Sequence, residues 1–225
     1  MNVAWCEGMK KKYVIISGGS IDDECACNII EKGCYDVILA ADSGMNFLYR
    51  RRMKPDIIIG DFDSVDVESL AYFKEQDGIE FHQLNPMKDD TDTEYAIRYA
   101  IAHGATAITV IGGTGTRLDH VLGNVSLLGI GLEEGIPIEL VDANNRIRMV
   151  DKPLSIRRTE QYGKYVSLIP YAGEVCDVTL EGMKYPLDHY LLGGFNSLGV
   201  SNEIEADEAH ISFSKGLLLV IESRD

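Results

Sequence analysis

The feature that most constrains the fold is an alternation that runs through the first two thirds of the chain. Short apolar runs at 13–17, 37–41, 57–60, 81–84, 107–111 and 138–141 are separated by helically patterned stretches at 23–32, 46–53, 67–75, 92–102 and 118–134. Strands that alternate with helices pair in parallel through right-handed crossovers and carry helices on both faces. Residues 10–144 are therefore expected to form a doubly wound, mostly parallel α/β domain. After Asn144-Asn145 the helical period stops. Runs at 146–150, 165–169, 175–180, 199–203, 210–214 and 217–222 are β-rich and punctuated by Gly, Pro and Tyr. That texture predicts an all-β sandwich or partly open barrel over 145–225.

Composition narrows the partners. Among 225 residues, 36 are acidic and 21 basic, for a formal net charge of -15. Such a chain lacks the clustered cations that nucleic acid or an anionic membrane surface requires, so neither is an expected partner. No apolar run approaches the ~20 residues of a membrane span. Lys10–Lys12 precede an apolar stretch too short for a signal peptide, and Met9 could serve as an alternative start that leaves the first eight residues a dispensable extension. The five cysteines (Cys6, Cys25, Cys27, Cys34, Cys176) lack paired spacing and read as free thiols of a reducing cytosol. A cytoplasmic protein is the expectation.

In an open parallel sheet, chemistry collects beyond the carboxyl ends of the strands. Four such ends are rich in functional groups: Ala41-Asp42-Ser43-Gly44, Gly60-Asp-Phe-Asp-Ser64, Lys88-Asp-Asp-Thr-Asp-Thr-Glu94 and Gly112-Gly-Thr-Gly-Thr-Arg-Leu-Asp-His120. Asp61 and Asp63 suit either a turn leading into a helix cap or a hard-cation site, because Mg²⁺ takes carboxylate oxygens and bridges to substrate phosphates. Thr91 and Glu94 form a capping box, and Asp92 suits the positive helix end. Those roles leave the repulsion among Asp89, Asp90 and Asp92 unexplained unless a cation or solvent offsets it.

The glycine loop lacks both the P-loop ending and the dinucleotide fingerprint. A glycine loop opening a helix still presents backbone N–H groups to phosphate, and Arg117 adds a cation with fork geometry. His120 reads as a helix-face residue. Carboxylates, a glycine loop and an arginine together point to phosphoryl or nucleotidyl transfer, a chemistry of positioning and charge neutralisation.

These motifs in this order, with Ser167-Leu-Ile-Pro170 and Ser201-Asn202, resemble those of the thiamine pyrophosphokinase family from about Lys12 to the C-terminus. The resemblance implies an N-terminal α/β domain, a C-terminal β-sandwich and a homodimer with active sites shared between subunits. It implies transfer of the diphosphoryl group of ATP to the hydroxyl of thiamine, giving thiamine diphosphate and AMP. By motif, Asp61, Asp63 and Asp92 would hold Mg²⁺ with Asp42 nearby. Thr91, Gly112, Gly113, Arg117 and Asp119 would line the phosphate channel, with Asp92 or Asp119 orienting the hydroxyl. Ser201 and Asn202 would face the thiamine pyrimidine. Tyr185 stands where some family members carry Trp, and stacking on a flat ring or packing in the sandwich core are both open to it. A pyrophosphokinase for another heteroaromatic alcohol, or a non-catalytic sensor, are the alternatives.

Overall fold

The computed structural model describes residues 11–85 and 90–225, so Cys6, the first eight residues, Lys88 and Asp89 lie outside the described residues. The chain divides into two compact units, Met1–Ile138 and Glu139–Asp225.

In the first unit the order is β1 (Lys11–Ile16), α1 (Asp23–Lys32), β2 (Val37–Ala41), α2 (Gly44–Arg51), β3 (Ile57–Gly60), α3 (Val67–Lys74), β4 (Glu80–Gln83), α4 (Asp92–Ala102), β5 (Ala105–Ile111) and α5 (Leu118–Glu134). The strands lie side by side as β4-β3-β2-β1-β5. Every pairing in that series is parallel, with Ile15 opposite both Leu39 and Val110. The central strands are apolar along their length because helices cover both faces; Val14, Ile15, Ile16, Leu39, Ala40, Ile58 and Ile59 are fully buried. At the edge, β4 (Glu-Phe-His-Gln) has no fully buried residue.

Right-handed crossovers dictate the helix layers. From β1 to β4 the chain steps in one direction, which puts α1, α2 and α3 on one face. It then returns across the sheet to β5 on the far side of β1, which puts α4 on the other. Accordingly α2 packs on α3, whereas α4 reaches β1, β2, β3 and β5 and packs on α5. Local chemistry sets the helix ends. Asp22 caps α1 by accepting from the Cys25 N–H at 2.8 Å, and Thr91 caps α4 by accepting from the Glu94 N–H at 3.2 Å. Gly135, at φ 68°, closes α5 in the left-handed region. The helix α2 starts two residues earlier than its apolar period suggests, at Gly44, where a Cβ would lie 1.9 Å from the Ile16 carbonyl oxygen.

The second unit contains no helix among the described residues. After β6 (Ile138–Val141) come β7 (Asn145–Val150), β8 (Leu154–Arg157), β9 (Tyr165–Glu181), β10 (Leu187–Leu192), β11 (Asn202–Glu203), β12 (Glu208–Ser212) and β13 (Lys215–Ser223). The antiparallel pairing of β6 with β7 commits residues 139–141 to this unit, so the division falls after Ile138 rather than after 144. A single strand, β9, replaces the two runs expected at 165–169 and 175–180. Its first half pairs with β13 and β11 and its second half with β10 and β12. Between the halves, Ala172 (φ 57°) and Gly173 (φ 139°) bend the strand from one sheet into the other. Val166, Leu168, Val175, Val178, Leu180, Ile211, Leu218 and Val220 form the core that the two sheets enclose.

On β13, Leu218 and Val220 alternate inward and the next inward position is Glu222, which is 0 % exposed. Its carboxylate accepts from Arg146 at 2.9 and 2.7 Å, from Arg148 at 2.7 Å and from the Tyr162 N–H at 2.8 Å. Arg146 lies directly opposite in register and Arg148 one diagonal step away. A buried carboxylate so fully bonded ties β7, β13 and the turn before β9 together. Truncation would leave two neighbouring arginines of β7 without the carboxylate they share. Glu222→Ala is therefore expected to lower the unfolding free energy by about 3 kcal/mol, read from urea denaturation.

Candidate active site

The strand order reverses between β1 and β5, because the crossovers leave β1 toward one face of the sheet and arrive at β5 from the other. That reversal opens a crevice of about 430 Å³ at the strands' carboxyl ends. Its lining comes from residues 17–20, 41–43, 91–93 and 112–117, with Ser64, His120 and Asn124. The loops after β1 and β5 meet backbone to backbone: the Gly19 N–H donates to the Gly112 carbonyl and the Ser20 N–H to the Thr114 carbonyl, both at 2.8 Å. Only glycine allows this approach. A Cβ on Gly19 would come within 2.2 Å of the Thr114 carbonyl oxygen, and Gly112 holds φ 73°. Two side-chain bonds brace the floor, the Ser17–Thr93 hydroxyl pair at 2.6 Å and the Asn124 amide donating to the Gly113 carbonyl at 2.7 Å.

An acidic wall adjoins the crevice through Asp42, which lines it. Asp42, Asp61 and Asp63 each offer a carboxylate oxygen within 4.8 Å of the others. Asp42 follows β2 directly and holds φ 47°, and Phe62 between the other two holds φ 66°. These left-handed conformations cost free energy at non-glycine residues and turn the carboxylates toward one another. The approach of β3 to Asp42 is close enough that a Cβ on Gly60 would stand 3.0 Å from the Asp42 Cα. The Ser64 hydroxyl donates to Asp42 Oδ2, whereas Asp42 Oδ1 is buried with no hydrogen-bond partner. The Asp61 charge, then burial and the Asp42 charge, push the Asp63 carboxyl above its ordinary pKa. Convergent hard oxygen donors, one of them buried and unpaired, suit a small divalent cation such as Mg²⁺.

Among the expected metal ligands, Asp61 and Asp63 are thus brought together, and Asp42 joins them. Asp92 lies outside that group of three; it lines the same crevice, and its charge adds to the rise at Asp63. Thr91, Gly112, Gly113 and Arg117 line the crevice as well. Arg117 precedes α5 with no side-chain cap on that helix. Its guanidinium donates to Asp119 at 3.3 and 2.6 Å, which draws the Asp119 carboxyl down to about 2. An exposed carboxyl so acidic is a weak proton acceptor, and its evident effect is to aim the arginine.

Tyr185, Ser201 and Asn202 belong to the second unit and cluster there. Tyr185 is 60 % exposed and is no part of the sandwich core. Ser201 holds φ 60° and donates its N–H to the Ser167 hydroxyl at 3.0 Å. Asn202 is 6 % exposed, with its amide bonded within the protein.

Comparison with known proteins bears on this arrangement. Residues 32–140 match the model described as thiamin pyrophosphokinase, catalytic domain, and residues 153–218 match thiamin pyrophosphokinase, vitamin B1 binding domain. A Bacillus subtilis thiamine pyrophosphokinase is 33% identical over 189 residues, covering 83% of this chain and 87% of that protein. The chain belongs to the thiamine pyrophosphokinase family. The solved Bacillus subtilis thiamine pyrophosphokinase structure superposes with a TM-score of 0.85 at 31% identity, covering 96% of this chain and 100% of that one. A Geobacillus thermodenitrificans thiamin pyrophosphokinase superposes with 0.82 at 30% identity, over 95% and 98% of the two chains.

Two contributors to the crevice of this thiamine pyrophosphokinase family member escape a motif-based reading. The loop Ser17-Gly-Gly-Ser20 ends β1 as the other functional loops end their strands, and its paired glycines are the signal that marks it. His120, read as a helix-face residue, lines the crevice one residue after Asp119.

The electrostatics of the wall give a direct test. In a ¹³C-carboxyl titration of metal-free protein, Asp61→Asn should move the Asp63 midpoint down toward the ordinary ~3.9, because a like charge has been removed. With a pKa raised in the folded state, the Asp63 repulsion is absent below the ordinary carboxylate range and grows as pH rises through the raised value. Arg117→Ala should move Asp119 the opposite way, up from about 2.

Proposed function

We propose that this protein transfers the diphosphoryl group of ATP to the hydroxyl of thiamine, yielding thiamine diphosphate and AMP in the cytoplasm. The observation that carries this reading is the meeting of a three-carboxylate wall with a glycine-lined crevice at the β1/β5 reversal. The anionic triphosphate of ATP could not approach Asp42, Asp61 and Asp63 bare, since like charges repel. Asp42, Asp61 and Asp63 would hold Mg²⁺, with Asp92 beside them. The cation would supply charge neutralisation for the phosphate oxygens.

The remaining work falls to the chain's own groups. Backbone N–H groups of the loop before α5, reinforced by that helix's positive end, would bind phosphate oxygens. Arg117, aimed by Asp119, would reach the transferring and leaving phosphates with its fork. Asp92 lines the crevice and Asp119 is not among its lining residues, so Asp92 is the carboxylate assigned to orient the thiamine hydroxyl for in-line attack on the β-phosphorus. Thr91, by capping α4, would fix the backbone that carries Asp92. Thiamine's fixed positive charge suits the acidic wall.

A homodimer with shared active sites fits the surface of each unit. Tyr190, Leu191, Phe195, Leu198 and Val200 are exposed in the second unit, and Leu118 and Leu122 in the first turns of α5. Apolar side chains gathered on a surface mark an interface. The net charge of -15 argues against nucleic acid and anionic membrane surfaces as partners. No helix among the described residues is long and apolar enough to cross a membrane.

Incubation with thiamine, ATP and Mg²⁺ should release AMP and thiamine diphosphate; ADP as the nucleotide product would overturn the diphosphoryl mechanism. Asp61→Asn and Asp63→Asn should each lower turnover by about a hundredfold or more while the circular dichroism spectrum is kept. Near-normal rates would remove both from the metal site. For the shared site, a heterodimer of Asp92→Ala and Tyr185→Ala subunits should carry one intact site, and so combine the turnover that Asp92→Ala lacks with the unraised thiamine KM that Tyr185→Ala lacks.

A further inference from the structure

Asn202 is the best-buried polar side chain near the exposed face of the second unit, and its amide has no capacity left for a ligand. Oδ1 accepts from the Tyr185 N–H at 3.0 Å and from the Glu203 N–H at 2.9 Å. Nδ2 donates to the Tyr185 carbonyl at 2.8 Å and to Met183 Sδ at 3.9 Å. An amide offers two acceptor lone pairs and two donor hydrogens, so these contacts use all four. Both backbone groups of Tyr185 are thereby tied to one side chain.

The rest of the segment is held in the same way. Met183 bridges to Ile204, the Lys184 N–H donates to the Glu203 carbonyl at 2.9 Å, and the Glu205 N–H donates to the Gly182 carbonyl at 3.0 Å. Lys184 Nζ pairs with Glu203 at 2.9 Å and lies 5.6 Å from the Tyr185 ring centroid. The outcome is an aromatic ring that is 60 % exposed on a backbone with little freedom. Ordering a loop when a ligand binds costs conformational entropy, and a backbone already ordered avoids that cost.

We infer that Asn202 is a positioning residue, which acts on thiamine through the Tyr185 ring it mounts rather than by touching the ligand. The inference rests on the proposed thiamine reading of this unit. A flat cationic heteroaromatic ring is what a rigid, exposed tyrosine face takes best, by stacking and by attraction of cation to ring. Asn202 contributes the placement of that face.

A double-mutant cycle on thiamine KM, with ATP KM and kcat measured alongside, separates the possibilities. Tyr185→Ala should raise thiamine KM by about tenfold, the loss of one ring contact. Asn202→Ala should raise it by a similar factor, and the double variant should be no worse than Tyr185→Ala alone, because both changes remove one interaction. ATP KM should not move. If Asn202→Ala does not fold, Asn202→Asp keeps the shape and replaces the donor facing the Tyr185 carbonyl with an acceptor, and the same cycle applies. As a spectroscopic readout, Tyr185→Trp in a Trp5→Phe background should show lower fluorescence anisotropy once Asn202 is changed. Multiplying effects in the double variant would overturn the inference, since they would mean that Asn202 contacts thiamine itself. So would an unchanged thiamine KM in a folded Asn202 variant while Tyr185→Ala is impaired. An unchanged KM in Tyr185→Ala overturns the ring contact, and the role of Asn202 falls with it.

Discussion

The side-by-side placement of β1 and β5, reached by crossovers that leave toward opposite faces, is the constraint on which the first unit's chemistry depends. With helices departing to different sides, the space above these two strands cannot be filled by a helix. It is closed from below by loops whose backbones touch, and Gly19 and Gly112 are the residues that make contact at 2.8 Å possible. Side chains from β2, β3 and the start of α4 then converge on the same rim because parallel strands end on one side of the sheet. The crevice is therefore a product of topology first and of residue chemistry second.

Charge has meaning here only through placement. The net charge of -15 is spread over a surface on which distant groups are screened within ~8 Å at physiological salt, and it says little about the site. Three carboxylates within 4.8 Å are a different matter. Their repulsion is unrelieved by any neighbouring cation strong enough to keep Asp63 at its ordinary pKa, and left-handed backbone at Asp42 adds strain. Free energy stored in this way is available to a ligand that neutralises the wall. Arg117, held in the same crevice by Asp119, is the complementary element, a cation whose direction is set before substrate arrives.

The second unit uses buried polar groups to specify geometry. Glu222 at an inward position of β13 and Asn202 at the start of β11 are both removed from water, and both have every bonding site engaged. A buried group of this kind accepts only one arrangement of its partners, because any other leaves it unsatisfied at a cost of about 1–3 kcal/mol. Glu222 thereby sets the alignment of β7 against β13, and Asn202 sets the backbone beneath an exposed aromatic. The long strand β9 does the same at the level of the sheet, since its bend at Ala172 and Gly173 lets one element serve both layers.

Much of this was legible in the residues alone, and for a physical reason. Hydrophobic period and capping chemistry are local, so β2, β3, α1, α4 and α5 have the bounds that their apolar spacing and, at α4, Thr91 predict. The exposed strands β8 and β10 were not legible, because strands with weak alternation take their identity from a neighbour across the sheet. The acidic and glycine-rich strand ends identified the class of chemistry, since those residue types in loops serve few others. Only tertiary structure decided that Asp42 joins Asp61 and Asp63, that the Ser17-Gly-Gly-Ser20 loop shares their crevice, and that Asn202 turns inward to Tyr185. Each of those facts links residues far apart in the chain, and strand order and packing, which no local pattern encodes, determine which distant residues meet.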